Sequence, residues 1–382
     1  MDDGTEVVEG IRKCFAGVAD PRVVGRCDHR LDEILTITIL AVICGADDWT
    51  DIEVFGKVRE AWLRQFLELP HGIPSHDTFR RVFELLERNQ FAAGLLQWTQ
   101  ALQEATDSKL IAIDGKTLRR SHRRKRGLAA LHLVTAWNTE NGLTLGQYAT
   151  EDKSNEITAI PELIKLLSLK GCTVTIDAMG CQKEIAAEVR EAKAHYVLAV
   201  KENQPNLYED LVEHFEEVLE DEESLPPPQR HTTEEKGHGR LEQRFYYSTP
   251  VPDTLRNREA WRDIQSVGCA INNTVREGRE TGLVRYFISS EKPDAKRLGK
   301  AVRNHWGIEN SQHWVLDVIF REDDRRQQDR NGAANLASIR RLAVSLLRQD
   351  KTLKRGAKAK RMAAALNPQY LLRVLKHADF DA

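Results

Sequence analysis

The sequence predicts an α/β protein: a layered core of alternating strands and helices, carrying a β-rich insertion and preceded by an all-helical segment. Three observations predict it. Up to about residue 107, apolar residues recur at helical spacing. After Lys109, short apolar runs alternate with helix-length segments. Past Pro226-Pro227-Pro228, strand-like runs follow one another with no helix between them.

Within 1–107, Leu31, Ile34, Leu35, Ile39 and Val42 recur at helical spacing, and Phe79, Val82, Phe83 and Leu86 do so again. Pro74-Ser75-His76-Asp77-Thr78 is a helix-start signal, a proline turn followed by capping residues. A turn at 70–74 and then a helix exposing Arg80 and Arg81 would suit a helix-turn-helix reader. A small helical bundle without groove contact is the simpler reading of the same pattern. Strands are expected at 109–115, 130–138 and 143–150, a helix at 156–168, a strand at 172–177, a helix at 181–192, a strand at 195–201 and a helix at 205–220. Strands alternating with helices imply parallel pairing. The order β-β-β-α-β-α-β-α is that of a ribonuclease-H-like core. In that topology the first strand lies beside the strand that follows the first long helix. Asp114 and Asp177, each closing an apolar run, would then face each other where open α/β sheets place ligands.

The stretch 221–290 reads as an inserted, mostly antiparallel element with strands at 241–248, 264–272 and 283–289. Helices resume near 293, and Leu336, Ile339, Leu342, Ala343, Leu346 and Leu347 give one an amphipathic face. The expected division is a helical domain at 1–107, a catalytic-type core at 108–220 and 291–350, the insertion at 221–290, and a basic helical tail at 351–382.

Composition bounds the function. The chain has 382 residues, 41% hydrophobic and 30% charged, with a net charge of −2, a globular balance. The best apolar stretch, Ile34 to Gly45, is too short to span a bilayer. The start, Met-Asp-Asp-Gly-Thr-Glu, reads as no secretory signal. Six scattered cysteines form no Cys-x-x-Cys pair, which argues against zinc and disulfide frameworks and for reducing, intracellular surroundings. Basic runs at Lys116–Arg126 and Arg340–Arg361 are the footprint sought for phosphate binding, although charge runs also make ordinary solvated faces.

Three acids carry the candidate chemistry. Asp114 and Asp177 each stand at the end of a β-like run and before a turn, where an aspartate is also an ordinary turn residue. Glu309 lies in Asn304-His305-Trp306-Gly307-Ile308-Glu309-Asn310. Asp317 is eight residues further on and shares its helical face on spacing alone, so spacing does not choose between them. Two aspartates and a glutamate suit a two-metal phosphoryl-transfer site, because magnesium takes hard carboxylate oxygens and two ions can clamp the attacking and leaving oxygens at phosphorus. Arg240, Glu242 and Arg244 alternate along one strand face. They form either an arginine grip on phosphate or a self-neutralising ladder.

Taken together these blocks resemble one family. Ala112-Ile113-Asp114-Gly115-Lys116, Thr175-Ile176-Asp177-Ala178-Met179-Gly180-Cys181-Gln182, and His305-Trp306-Gly307-Ile308-Glu309-Asn310 with His313-Trp314-Val315-Leu316-Asp317-Val318 look like the signatures of insertion-sequence transposases of the ISAs family, which includes the H-repeat-associated proteins. Lys153-Ser154-Asn155-Glu156, Lys201-Glu202-Asn203-Gln204, His238-Gly239-Arg240-Leu241-Glu242 and Asn335-Leu336-Ala337 match as well. Leu69 to Thr78 resembles the helical domain that accompanies this core. The resemblance covers nearly the whole chain.

It implies a DDE transposase with a ribonuclease-H-like fold and a triad of Asp114, Asp177 and Glu309 that binds two Mg²⁺ or Mn²⁺ ions. It further implies double-stranded DNA partners (terminal inverted repeats and target), a homodimer in the DNA complex, and a bacterial cytoplasmic setting, nucleoid-associated when on DNA. Lys116, Arg119, Arg120, Arg240, Arg244 and Arg303 are the expected phosphate contacts. The Tyr-Arg-Glu-Lys pattern of cut-and-paste relatives is incomplete here: seven residues after Glu309 stands Leu316, and Arg303 is the candidate for the arginine. Ser311-Gln312 depart from the leucine expected before His313. Two other functions fit the same residues, a silent DNA-binding remnant and a metal-dependent nuclease without strand transfer.

Overall fold

The computed structural model describes residues 3–376 except 24, 26, 105–108, 123–126, 128, 151–155, 222, 224, 227–228, 238–239, 277–278 and 325. The basic run at 123–126, most of the block at 153–156 and His238-Gly239 therefore lie outside the described residues. The chain forms two compact units. One comprises 1–108, 115–159 and 308–382; the other comprises 109–114 and 160–307. This division differs from the expected one, because the first hairpin after Asp114 and all helices beyond Ile308 group with the N-terminal helices.

The first unit contains α1 (Asp3–Phe15), α2 (Leu31–Cys44), α3 (Trp49–Leu63), α4 (His76–Leu85) and α5 (Arg88–Glu104). It also holds the antiparallel pair β2 (His132–Asn138) and β3 (Leu143–Thr150), then α10 (Trp314–Val318), α11 (Arg330–Gln349), α12 (Ala357–Leu366) and α13 (Pro368–Lys376). α2 is apolar around its whole circumference and is buried nearly throughout. Its two threonines stay satisfied by bonding back one turn, Thr36 to the Asp32 carbonyl at 2.8 Å and Thr38 to the Ile34 carbonyl at 2.7 Å, the helical alternative open to a hydroxyl. The expected start of α4 holds: Ser75 caps it, accepting from the Thr78 amide.

α11 departs from the expected amphipathic helix. It packs against α2, α4, α5 and β3 and is buried on its polar side too, so each polar residue there needs an internal partner. Asn335 donates to the carbonyls of Phe83 and Leu86, both at 3.0 Å, and Ser345 accepts from the Thr144 amide at 3.0 Å. The C-terminal basic stretch is likewise no free tail. Lys360 and Arg361 are buried, and Arg361 donates to the carbonyls of Ile319 and Val42.

In the second unit the sheet runs β1-β4-β5-β9-β8-β7-β6. Its strands are β1 (Leu110–Thr117, of which the residues to Asp114 belong here), β4 (Thr173–Ile176), β5 (His195–Val200), β6 (Arg230–Gly237), β7 (Arg240–Pro250), β8 (Ser266–Arg276) and β9 (Arg279–Ser289). β1, β4 and β5 pair in parallel, and β9 joins β5 antiparallel. The expected insertion is thus a continuation of the same sheet, because β9 takes the open edge of β5. The helices are the later part of α6 (Glu156–Leu166), then α7 (Lys183–Glu191), α8 (Pro205–Glu220) and α9 (Ala295–His305). Ala295, Leu298, Ala301 and Val302 of α9 bury against Leu110, Val197, Tyr246, Ala270 and Phe287 of the sheet. Burial of a side chain such as Leu298 contributes about 1.5–3 kcal/mol. No helix among the described residues is long and apolar enough to cross a membrane.

Candidate active site

Strand register positions the first two acids. β1 and β4 are parallel, and Ile113 lies opposite Ile176, so the next residues, Asp114 and Asp177, follow at one level. Asp114 is within β1 rather than at its end, since the strand continues to Thr117; Asp177 directly follows the last residue of β4. Both are half-buried.

The turn after Asp177 fixes its carboxylate. Oδ1 accepts from the amides of Met179 at 3.1 Å and Gly180 at 3.4 Å, capping the 3-10 turn Ala178–Gly180. Gly180 allows this turn to close, because a Cβ there would collide with Ile176 and stand 3.1 Å from Ile160. Two side chains hold the turn from outside: Asn203 donates to the Ala178 carbonyl at 2.7 Å and Gln204 to the Cys181 carbonyl at 2.9 Å. His305 is half-buried and meets the Thr175 hydroxyl through Nδ1 at 3.0 Å. Burial lowers its pKa, against the charge of Asp177, which favours protonation. Asn203, Gln204 and His305 were visible in the sequence as motif members; their work on the Asp177 turn was not, because it depends on tertiary placement.

Glu309 is exposed and opens a π-helical turn, Glu309–His313, that leads into α10. Single π turns recur at functional sites. In a regular helix the eight residues to Asp317 would leave the two acids about 80° apart. A π turn takes one extra residue and gives back about 100°, which brings them onto nearly one line. The turn is pinned by Gln312, which is buried and donates to the Thr144 hydroxyl at 2.6 Å, and by Arg348, which donates to the Ser311 carbonyl at 2.5 Å. The departure at Ser311-Gln312 is therefore a structural feature of the segment that carries Glu309.

Asp317 is committed elsewhere. Lys116, only 8% exposed, lies 2.7 Å from Asp317, 3.3 Å from Glu322 and 3.5 Å from Asp323. Glu322 is also paired with buried Arg341 at 2.9 Å. Burial alone would raise the Glu322 carboxyl, but Arg341 and Lys116 bring it down to about 2. Burial lowers the Lys116 ammonium, and Glu322 and Asp317 more than reverse this. Asp317 is pushed up by burial, with Lys116 opposing. His313 beside this cluster is held down to about 3 by burial and by the charges of Arg341 and Lys116. Next to Lys116, Gly115 admits the buried pair His132–Glu156 (3.2 Å), whose atoms a Cβ would strike.

The expected phosphate contacts divide. Lys116 sits in the internal cluster just described rather than on a surface. Arg244 is also buried, paired with Glu242 and, at 3.3 Å, with Glu235. Arg303 pairs with Glu235 at 2.6 Å. Arg119 and Arg120 are exposed on a 3-10 turn, Arg119 at 3.3 Å from Asp323 and Arg120 donating to the Asp324 carbonyl at 2.9 Å. Arg240 is in β7, with its side chain outside the described residues. Among the described residues, no three His, Cys, Asp or Glu side chains are grouped to hold a metal ion. The paired aspartates nonetheless fit magnesium in donor chemistry, since that ion is often bound by one or two carboxylates and keeps several waters.

Comparison with known proteins adds the family context. Residues 12–99 match the family model described as DDE_Tnp_1-associated, and residues 105–346 match the one described as transposase DDE domain. The chain is 41% identical over 372 residues to the Escherichia coli O157:H7 protein named "Putative transposase YncI", covering 96% of this chain and 95% of that one. It is 38% identical over 363 residues to "H repeat-associated putative transposase YhhI" of Escherichia coli (strain K12), with 94% and 95% covered. The solved structure of a piggyBac transposase synaptic complex with hairpin DNA aligns at a TM-score of 0.40 and 12% identity, covering 97% of this chain and 79% of that chain.

Proposed function

The chain belongs to the DDE transposase family, and from that premise we propose that Asp114, Asp177 and Glu309 are its catalytic carboxylates, cutting insertion-sequence ends and joining them to target DNA. The observation that supports this reading is the register of Ile113 with Ile176 on parallel strands, since Asp114 and Asp177 are the next residue of each segment. The two amides on Oδ1 of Asp177 orient its carboxylate before any ligand arrives, which lowers the reorganisation a reaction must meet.

In the first step water attacks phosphorus at the element end, the bond to the 3′ oxygen breaks, and that oxygen leaves as a 3′-hydroxyl. In the second step this hydroxyl attacks a target phosphodiester and displaces the target's own 3′ oxygen. Magnesium or manganese bound by the three carboxylates would supply Lewis-acid stabilisation of the attacking and leaving oxygens. The protein's part is to fix the carboxylates, to keep His305 neutral beside Asp177, and to hold Glu309 on its π turn. Joining requires both element ends, so the DNA complex is a homodimer on double-stranded inverted repeats.

The test is strand transfer with purified Asp114→Ala, Asp177→Ala and Glu309→Gln. Each variant should lose at least about a hundredfold in rate while still binding DNA. Near-normal joining by any one removes that residue from the triad. Supplying pre-cut ends with a free 3′-hydroxyl separates a transposase, which joins them, from a nuclease, which does not.

A further inference from the structure

A cavity of about 360 Å³ opens within the first unit, a size typical of ligand pockets. Its wall combines Trp49 at the start of α3, Arg80 of α4, Arg120 of the turn after β1, Arg326 and Gln327 ahead of α11, and Arg340 within α11. Four arginines thus reach one cavity from four separate chain segments. Asp47, Asp48 and Glu322 also line it, and each is already engaged. Asp47 pairs with Arg361 at 3.3 Å, Asp48 caps α3 by accepting from the Asp51 amide at 3.0 Å, and Glu322 holds Arg341 and Lys116.

Two unsatisfied wall atoms are decisive. Arg340 is 5% exposed; one terminal nitrogen donates to the Asp47 carbonyl at 2.7 Å, and its Nε has no partner. Gln327 accepts through Oε1 from the Trp49 indole at 3.3 Å, and its Nε2 has no partner. The indole N–H can only donate, so the Gln327 oxygen faces it, and the amide nitrogen lies against Gly332 at the start of α11. Both orphans are donors, and a buried donor without an acceptor is unfavourable. A ligand rich in acceptor oxygens and carrying negative charge would satisfy both and would meet the arginines at the mouth.

We propose that this cavity is a phosphate site, seating a backbone phosphodiester of the bound DNA. The proposal rests on the DNA-transposase reading above and deepens it, by assigning DNA contact to a pocket between α3, α4 and α11. Guanidinium forks match phosphate oxygens in geometry, and such a contact carries no sequence preference of its own.

The experiment measures binding of a short duplex of arbitrary sequence over a range of KCl, in EDTA, for wild type, Gln327→Glu and Arg326→Gln. Gln327→Glu keeps the oxygen that Trp49 needs and places a carboxylate against the ligand; Arg326 is exposed, so its loss leaves the core intact. Melting curves confirm that both variants are folded. Each variant should bind about tenfold more weakly, with the slope of log K against log[KCl] shallower by about 1. A folded variant pair with wild-type slopes overturns the pocket assignment and leaves the metal-dependent cleavage reading standing, since EDTA silences that chemistry throughout. A wild type that binds no duplex overturns both readings. A parallel arm adds inorganic phosphate alone and follows the melting midpoint. Stabilisation that Gln327→Glu abolishes, with duplex slopes unmoved, makes this a free-anion site and overturns the DNA assignment.

Discussion

Replacing Glu322 by Gln should destabilise the first unit by about 3–5 kcal/mol, the cost of removing one partner from a buried ion pair. Glu322 and Arg341 are each 1% exposed and 2.9 Å apart, with Lys116 at 3.3 Å from the same carboxylate. The amide would keep the volume and leave two buried cations short of their counter-charge. The acid's own titration gives a similar magnitude. Its pKa is about 2 in the fold against an ordinary 4.5, roughly 3 kcal/mol of linkage. Because the folded value is depressed, this stability is present above about pH 4.5 and is lost as the pH falls towards 2. Asp317 works the other way: burial raises its carboxyl, so part of the gain is offset once that group ionises. At about 2–4 °C per kcal/mol for a unit of this size, calorimetry at pH 7 should show the melting transition of Glu322→Gln about 6–20 °C below wild type. The gap should narrow as the pH drops below 4.5. A shift under about 2 °C at pH 7, or a gap that widens in acid, would refute the reasoning.

Inserting one alanine after Ser311 adds a residue beyond the one the π turn already absorbs, which should rotate Glu309 by about 100° relative to Asp317. Cleavage should fall to the level of Glu309→Gln with duplex affinity retained, whereas Ser311→Ala should cut normally; a fully active insertion variant would show that the π turn does not set the glutamate. Thiol labelling of the native protein with a maleimide at neutral pH should give one rapid adduct, at exposed Cys27. Burial pushes Cys44, Cys181 and Cys269 up to about 12 and Cys14 up to about 11, and thiolate is the reactive form. Two or more rapid adducts in the mass spectrum would contradict this packing.

Which features the sequence disclosed depended on whether their cause was local. The strands around Asp114 and Asp177 were legible because a parallel strand buried on both faces is a continuous apolar run, and Ser75 was legible because a cap acts within one turn. β6 was not: Arg-His-Thr-Thr-Glu-Glu-Lys-Gly has no apolar face, and it is a strand only because β7 offers it an edge. The polar residues of α11 and the lysine and arginine at 360–361 read as solvated because charge ordinarily is. They are buried because Glu322, Asp47, Asp350 and backbone carbonyls from distant segments receive them. The same rule governs the candidate site. Spacing in a regular helix could not separate Glu309 from Asp317, since the π turn that aligns them is held by Thr144 and Arg348, far away in the chain. What separates them is that Asp317 already has a cation, Lys116. A carboxylate neutralised by a buried lysine is poorly suited to attract a divalent ion, whereas Glu309 presents its charge at the surface. The residue two places after Asp114 thus bears on the choice of third acid, because buried Lys116 stands 2.7 Å from Asp317.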